Sequence, residues 1–334
     1  MVAWWLRAMA LLNGLGLVLW LAWAWPHSPA LAMAVAVLWL LAARLVVGLQ
    51  FGLMWAVRRR AAEAVPPVGT LVRAWNAECQ LSMRAYAWDM PWAEGSQADY
   101  VPGRDVGMGG VLLVHGWLCN RAIWADALHH LRAAGVPCIA VSLPLLWHPI
   151  GTGRQVLDAA ARRLQQATGR RPVVVAHSMG GLIVRDWLRS LPDAQAPHRP
   201  HAVCTVGSPH GGTWMAHWAV GPNVAQMRPG SRWLQQLAAD ESRAGSAAGQ
   251  VQWVCALSNA DNMVFPESHS VVPGAQVLRL DGMGHVQMLQ APALWQWVRH
   301  TVAQPDLLWA DKAGLARAPD NGAALAHIDW SSII

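Results

Sequence analysis

Charged residues are scarce in this sequence, lysine above all, and so are tyrosine and phenylalanine. Asp, Glu, Lys and Arg make up only 13% of the 334 residues, whereas 54% are hydrophobic, and 22 Trp stand against 2 Tyr and 2 Phe. This balance indicates a chain that contains a membrane segment. The formal charge of +6 comes from scattered arginines, and the one tight cluster, at residues 58–60, directly follows an apolar run. We interpret that arginine triplet as a membrane-flanking signal and expect no nucleic-acid partner.

The cysteines exclude two further classes of protein. There are five, an odd number, and no C-x-x-C pair occurs among them. Three lie in apolar runs that we expect to be core strands, where a thiol usually acts as a small hydrophobic group. The sequence therefore predicts neither a disulfide framework nor a metal site, and no cofactor, and it favours a reducing compartment.

Two long apolar runs occupy the N-terminus. Residues 8–25 carry no charge, and after the break "PHSP" residues 30–57 carry only Arg44. As helices they would be about 27 Å and 42 Å long, enough to cross a hydrocarbon core of about 30 Å. We predict a transmembrane helical hairpin over residues 1–60, in which the central Arg44 requires snorkelling, a helix partner or a shorter span. The alternative is a signal peptide ending near "ALA" at 30–32, but the chain stays apolar well beyond that point.

The rest of the chain alternates between two patterns. Residues 61–109 are expected to be a linker and helical lead-in, with "AVPPVG" as a hinge, and residues 306–334 are a tail without a recognisable motif. In between, residues 110–305 are predicted to form one domain in which short runs that are apolar on both faces alternate with amphipathic segments. That alternation predicts an α/β fold with a mostly parallel sheet flanked by helices. The predicted strands lie at 111–114, 138–142, 173–176, 202–207, 251–257 and 275–280, and the predicted helices at 124–134, 154–168, 181–190 and 294–302.

A single serine follows the third predicted strand, in "AHSMG" at residues 176–180. A serine hydroxyl becomes a nucleophile only with a base in hydrogen-bond reach and a third group that orients the base. The pattern is G-x-S-x-G with Ala176 in place of the first glycine, and the sharp strand-to-helix turn requires small residues two positions either side of the serine. Ala176 and Gly180 meet that requirement. We predict that Ser178 is a nucleophile.

The partners of this serine are expected at the same edge of the sheet, beyond the carboxyl ends of the strands. His285 follows the last predicted strand in "DGMGHVQML", where the order Ser, Asp, His places a general base, and Asp261 follows the preceding strand. Asp281 is the nearest alternative to Asp261, but we expect it to cap a turn. Asp186 lies on the helix after Ser178 and is expected to point away.

A developing oxyanion needs N–H donors, which backbone at a turn can supply. Met179, at the start of the helix behind Ser178, is predicted to give one, and Trp117, after the first strand, the other. We expect His177 and His210 to be structural or to line the pocket.

The segments "VLLVHGW", "AHSMGG", "VGSPHGG", "DNMVFP" and "GMGH" occur in that order between residues 111 and 302. This ordered set resembles the α/β-hydrolase fold and, within it, the bacterial lipase and esterase branch. The resemblance implies a triad of Ser178, Asp261 and His285, with Trp117 and Met179 as oxyanion donors. The sequence departs from it at Ala176 and in the hydrophobic hairpin, which secreted lipases lack, and this argues against an extracellular fat-digesting role.

Residues 212–249 are too long for a plain connection between two strands. In lipase-like enzymes an insertion here resembles a cap over the site, and Trp214, Met215 and Trp218, with Val220 and Met227, are candidates to line an acyl-binding cleft. The alternative is an ordinary helix that buries this face.

We predict a serine hydrolase acting on carboxylic esters with an apolar acyl chain, so that the partner is an acyl-ester or lipid substrate at a membrane. An acyltransferase or a thioesterase would use the same triad, and a non-catalytic membrane-bound binding protein is the third class. Arg7 precedes the first run, the triplet follows the second, and the loop between the runs has no Lys or Arg. The positive-inside tendency then places the domain on the cytoplasmic face of a bacterial inner membrane.

Overall fold

In the part of the chain that the structure describes, six strands form a single parallel sheet in the order β2-β1-β3-β4-β5-β6. The computed structural model describes residues 2–102, 107–144, 147–191, 198–243 and 251–303. Register pairs Val111 with Cys138 on one side of β1 and with Val173 on the other. The order therefore reverses at β1, and the crevice between the carboxyl ends of β1 and β3 is the expected place for a ligand. The strands are β1 Val111–Val114, β2 Cys138–Ala140, β3 Val173–His177, β4 Ala202–Val206, β5 Gln252–Leu257 and β6 Gln276–Arg279.

Helices cover both faces of the sheet, and each predicted strand and helix of the domain is confirmed to within a few residues at its ends. The helices are α1 Val2–Ala24, α2 Pro29–Arg60, α3 Val68–Arg84, α4 Met90–Trp92, α5 Ala125–Ala133, α6 Arg154–Thr168, α7 Met179–Ser190, α8 Pro222–Gln226, α9 Arg232–Arg243 and α10 Pro292–Ala303. A π-helix, Ala85–Asp89, joins α3 to α4. Short 3-10 helices occur at Arg121–Trp124, Ile150–Gly153, Trp214–His217, Glu267–Ser270 and Gln287–Gln290.

Alternate residues of the strands divide the core into two layers. Leu112 and Val114 face the layer that contains α6 and α7, whereas Val111 and Leu113 face the layer that contains α5 and α10. Because both faces are covered, the strands are apolar at most positions, and β1 and β2 at every position, which is why they read as apolar runs.

The two N-terminal helices pack side by side as a hairpin. Trp20 Nε1 donates to the carbonyl oxygen of Ala32 (3.3 Å), and a Cβ at Gly16 would lie 3.1 Å from the Trp39 ring. Both helices are long and apolar enough, by length and composition, to cross a membrane. The predicted hairpin of residues 1–60 is thus present as a helical unit.

Both ends of the hairpin dock on the rest of the protein. Val2 and Leu6, in the first turns of α1, belong to a buried cluster with Ala85, Met90 and Cys119. At the other end, the last turns of α2 bury three apolar side chains against α3 and the loop that follows β5; the members of this second cluster are Phe51, Met54, Val57, Ala74, Ala260 and Phe265. Between these ends, many large apolar side chains from Met9 to Trp25 and from Leu31 to Leu49 are exposed.

This docking changes two expectations about α2. Residues 30–57 are expected from the sequence to cross lipid with tilt or overhang, but from Phe51 onward the helix packs on protein. Arg58 is not a free flanking charge, because its buried guanidinium donates to Glu267 Oε2 (2.8 Å) and to the carbonyl of Ala64. Arg44 has the helix partner that its position requires, since it donates to Asn76 Oδ1 on α3 (2.6 Å).

Domain boundaries at residues 60, 109 and 305 stay predictions, and the tail of residues 306–334 lies outside the described residues. The predicted cap, residues 212–249, is described as far as residue 243 and holds α8, α9 and the 3-10 helix Trp214–His217.

Candidate active site

Ser178 lies in the sharp turn between β3 and α7. Its φ of 56° and ψ of −130° are unfavourable for a residue with a side chain, a strain of about 1 to 3 kcal/mol. The turn is held because Ser178 N donates to the carbonyl oxygen of Val206 on β4 (2.8 Å), and because Gly180 can approach β1, where a Cβ would lie 2.7 Å from the Val114 oxygen. Ser178 is half-exposed, whereas His177 and Met179 on either side are buried. The turn thus presents the hydroxyl at the sheet edge.

The loop after β1 lies against this serine. A Cβ at Gly116 would be 2.7 Å from Ser178 Cβ and 3.1 Å from Ser178 Oγ, so only glycine fits there. Burial lowers the pKa of His115 to about 4, and the neutral ring accepts from Leu143 N at Nε2 (2.9 Å). Its Nδ1 therefore carries the proton and donates to the Gly116 carbonyl (2.9 Å). His115 thereby fixes the loop that carries Trp117, a role that sequence reasoning did not assign.

His285 and Asp261 form a buried pair at the same edge. His285 Nδ1 is 3.0 Å from Asp261 Oδ1 and 3.1 Å from Oδ2, so it donates to the carboxylate, and in the neutral ring Nε2 is the nitrogen that can accept a proton. Asp261 Oδ1 also accepts from the backbone N–H groups of Met263 (2.8 Å) and Val264 (2.9 Å), which fix its orientation. The sequence-predicted base and acid are thus in direct contact.

The electrostatic surroundings favour the protonated form of His285. Burial lowers the pKa of the imidazole, but the carboxylate of Asp261, through its charge and its hydrogen bond, and the charge of Glu78 outweigh burial, so the pKa of His285 lies above its ordinary value of 6.5. This is the environment that a general base needs in order to hold a proton during catalysis.

Two neighbours connect this pair to the serine turn. Gly207, after β4, has φ +53°, and a Cβ there would lie 2.8 Å from Asp261 Oδ2 and 3.0 Å from His285 Nδ1. The ring of His177 lies 4.5 Å, centroid to centroid, from the ring of His285. The segments after β3, β5 and β6 that carry Ser178, Asp261 and His285 therefore lie together at one edge of the sheet, and their catalytic roles stay a prediction.

A model of the Alpha/beta hydrolase family matches residues 111–319, well over half of the chain. This chain belongs to the Alpha/beta hydrolase family. Among curated proteins, it is similar to the probable hydrolase R7 of Phoma sp., with 33% identity over 95 residues that cover 27% of this chain and 39% of that protein. The chain therefore spans well under half the length of this relative.

The chain is also similar to solved structures of lipases. Aspergillus fumigatus lipase B has 17% identity and a TM-score of 0.50, with 64% of this chain and 59% of that chain covered. The mature Bacillus licheniformis lipase BlEst2 has 19% identity and a TM-score of 0.48, with 57% and 90% covered. The family match, together with a parallel sheet flanked by helices, confirms the predicted α/β-hydrolase fold.

The family match begins at Val111 and so leaves out the hairpin and α3. These segments nevertheless contact the surroundings of the candidate triad. Glu78 on α3 accepts from Val286 N, next to His285, and Gln50 Oε1 on α2 accepts from Asn262 Nδ2 (2.8 Å). Sequence reasoning missed both, because each acts through a partner about 200 residues away in the chain.

The rival candidates have other partners. Asp281 accepts from Asn259 N (3.2 Å) and pairs with Arg279, so it caps the turn as expected. Asp186 points away and pairs with Arg154 and Arg189. His210 bonds to Thr205 Oγ1 (3.0 Å), a structural role. Within the described ranges, no group of three or more His, Cys, Asp or Glu side chains is suited to hold a metal ion.

The start of the cap lies beside the acid loop. Thr213 Oγ1 donates to the Met263 carbonyl (2.6 Å) and Trp214 N donates to the Phe265 carbonyl (3.2 Å). Trp214 is 44% exposed and Trp218 73% exposed, whereas Met215 packs against the cluster formed by the end of α2. Met227 and α9 belong to the main core, so that part of the insertion buries an ordinary helix face.

Proposed function

We propose that this protein is a membrane-anchored serine hydrolase that cleaves carboxylic esters through an acyl-enzyme intermediate. The observation that supports it best is the buried Asp261–His285 pair beside the strained serine turn. The chain belongs to a hydrolase family, and a serine beside a histidine–carboxylate pair fits acyl transfer.

In the proposed mechanism, Ser178 Oγ attacks the ester carbonyl carbon while His285 Nε2 takes the hydroxyl proton. Asp261 keeps the proton of His285 on Nδ1 and stabilises the imidazolium that forms. The tetrahedral oxyanion accepts hydrogen bonds from the backbone N–H groups of Met179 and Trp117. Met179 suits this role because it is the first residue of α7, where N–H groups have no partner within the helix.

The intermediate then collapses. The C–O bond to the alcohol breaks, and the alcohol leaves with the proton from His285. Water, deprotonated by the same imidazole, attacks the acyl-Ser178 carbonyl, and the acid departs as Ser178 recovers its proton from His285. In both halves of the reaction, His285 Nε2 thus takes the proton from the nucleophile and gives it to the leaving group.

We further propose that the hairpin lies in lipid with the site at the membrane surface. The exposed apolar stretches of α1 and α2 extend about 26 Å and 28 Å, close to the thickness of a hydrocarbon core. Met215 packs on the docked end of α2, and the same segment exposes Trp214, Trp218 and Val220, which suits the membrane interface, where tryptophan is enriched. The substrate is accordingly an ester with an apolar acyl chain, bound against Trp214, Met215 and Trp218.

The test is turnover of p-nitrophenyl acyl esters by membranes from cells that produce the full chain. We expect the rate to rise from the acetyl ester to esters of longer acyl chains, with the free acid as product. The activity should stay in the membrane pellet after an alkaline carbonate wash. Membranes that contain Ser178→Ala should have no such activity. Equal activity in both preparations would contradict the ester-hydrolase proposal, and activity released into the supernatant would contradict the anchor.

The proposed orientation, with the catalytic domain in the cytoplasm of a bacterial cell, has its own test. A reporter that is active only in the periplasm, fused after Arg60, should be inactive. Periplasmic activity of that fusion would overturn the orientation and leave the esterase proposal intact.

A further inference from the structure

We propose that Glu78 is a positioning residue for the base His285, so that the N-terminal helices complete the active site in addition to tethering it. The inference rests on the proposed function, in which His285 is the base. It concerns α2 and α3, which lie outside the part of the chain that matches the family.

The carboxylate of Glu78 holds the turn that carries His285. Its oxygens accept from Val286 N (2.9 and 3.0 Å) and from Gln287 N (3.0 Å), the two residues that follow the base. On the other side of His285, Gly284 lies so close that a Cβ there would be 2.7 Å from Glu78 Oε2. The carboxylate therefore sits inside the turn and contacts it before and after the base.

Asn262 adds a second connection of the same kind. Its Oδ1 accepts from His285 N (3.0 Å), and its Nδ2 donates to Gln50 Oε1 on α2 (2.8 Å). Three consecutive backbone N–H groups therefore have acceptors that depend on the N-terminal helices. Val286 N and Gln287 N donate to Glu78 on α3, and His285 N donates to Asn262, which is itself bound to α2. The orientation of the base is fixed from the hairpin side as well as by Asp261.

A carboxylate is a costly choice for this place. Glu78 is only 2% exposed, and within the described ranges no arginine or lysine pairs with it. Burial raises the pKa of Glu78 above its ordinary value of 4.5, although the hydrogen bonds from Val286 and Gln287 and the charge of a protonated His285 oppose the rise. A buried carboxylate is expensive to ionise unless hydrogen bonds or a positive charge compensate it, and here the compensating groups are the backbone N–H groups of the turn and the imidazolium of His285. The role we infer for this charge is to favour the imidazolium form of His285 during catalysis.

Three titratable groups face His285: Asp261 from the loop after β5, Glu78 from α3, and His177 from the end of β3. Burial and the neighbouring His285 hold the pKa of His177 well below its ordinary value, so His177 stays neutral. Of the two carboxylates, only Asp261 touches the ring. Removing the charge of Glu78 should therefore lower the pKa of His285 and leave the Asp261 contact in place.

The test compares Glu78→Gln and Glu78→Asp with a matched control, Glu63→Gln. Glu63 also comes from the N-terminal part and accepts from two backbone N–H groups of the domain, those of Glu267 (3.0 Å) and Ser268 (3.3 Å), but not from the turn of His285. The full chain is assayed with a p-nitrophenyl ester, with active sites counted by a fluorophosphonate.

In Glu78→Gln we expect kcat to fall about 10- to 100-fold with KM changed less than about threefold, because a small displacement of a catalytic group is enough for such a loss. The acid limb of its pH profile should move to lower pH, because the base then loses its proton more readily. Glu78→Asp keeps the charge, but its shorter side chain cannot reach both N–H groups, so its kcat should also fall. Because the charge remains, the acid limb of its pH profile should lie at a higher pH than that of Glu78→Gln. Glu63→Gln should match the wild type in both measurements.

A Glu78→Gln enzyme with wild-type kcat, or with a lower kcat but an unmoved acid limb, would overturn the inference. A wild type that a fluorophosphonate does not label would instead refute the proposed function itself. If neither Glu78 variant accumulates as folded protein, hydrogen exchange of the wild type decides: the amides of Val286 and Gln287 should exchange as slowly as those of β3, and unprotected exchange would contradict the role of Glu78.

Discussion

Replacing His285 with alanine is expected to lower kcat for a p-nitrophenyl ester by about 10⁴- to 10⁶-fold. Without the imidazole, Ser178 has no base for its proton, and neither the alcohol nor the water of the second step has a proton carrier. The turn itself should persist, because Glu78 and Asn262 bind its backbone and not the His285 ring. The loss should therefore appear in kcat and in the rate of acylation, without a large change in melting temperature.

His129→Ala is the matched control, since this histidine is exposed on α5, away from the site. It should turn over at close to the wild-type rate. A His285→Ala enzyme that keeps more than about one hundredth of the wild-type kcat would remove His285 as the general base.

Asp261→Asn is the second substitution with a large expected effect, about 10³- to 10⁴-fold in kcat. The amide oxygen, in the place of Oδ1, can still accept from Met263 N and Val264 N, and the NH₂ group then takes the place of Oδ2, 3.1 Å from His285 Nδ1. The uncharged oxygen, already bound by two backbone N–H groups, is a weaker acceptor for Nδ1 than the carboxylate, whereas the NH₂ group donates to an unprotonated Nδ1, so the ring should shift toward the other tautomer, with its proton on Nε2 facing Ser178. The histidine then has no lone pair for the hydroxyl proton.

The control for this substitution is the rival aspartate. Asp281→Asn should keep its contact with Asn259 N and act within about threefold of the wild type. If Asp281→Asn loses activity and Asp261→Asn does not, the assignment of the acid is wrong.

Local pattern was enough to predict the elements that bear the candidate triad. The strands are recognisable because burial on both faces leaves mostly apolar residues. Helix α6 has the predicted bounds, and it is followed by Gly169 in a left-handed conformation. The parallel sheet then brings the strand ends together, which is why residues as far apart as Ser178 and His285 can be assigned to one site.

The supports of the site could not be predicted in the same way. An apolar residue such as Phe51 or Met54 has the same pattern whether lipid or protein covers it, so the docked end of α2 looks like a membrane span. Glu78 lies on a helix of mixed character and contacts a turn about 200 residues later. Such a long-range contact depends on how α3 packs, which no local pattern in the sequence encodes.

The most direct test of the account is the site of covalent modification by a fluorophosphonate. The full chain, in membranes, is treated with the probe, digested and mapped by mass spectrometry, with Ser178→Ala treated in parallel. The account predicts one adduct, on Ser178, that is absent from the variant. An adduct on another residue, or equal labelling of Ser178→Ala, would contradict the claim that Ser178 is an activated nucleophile.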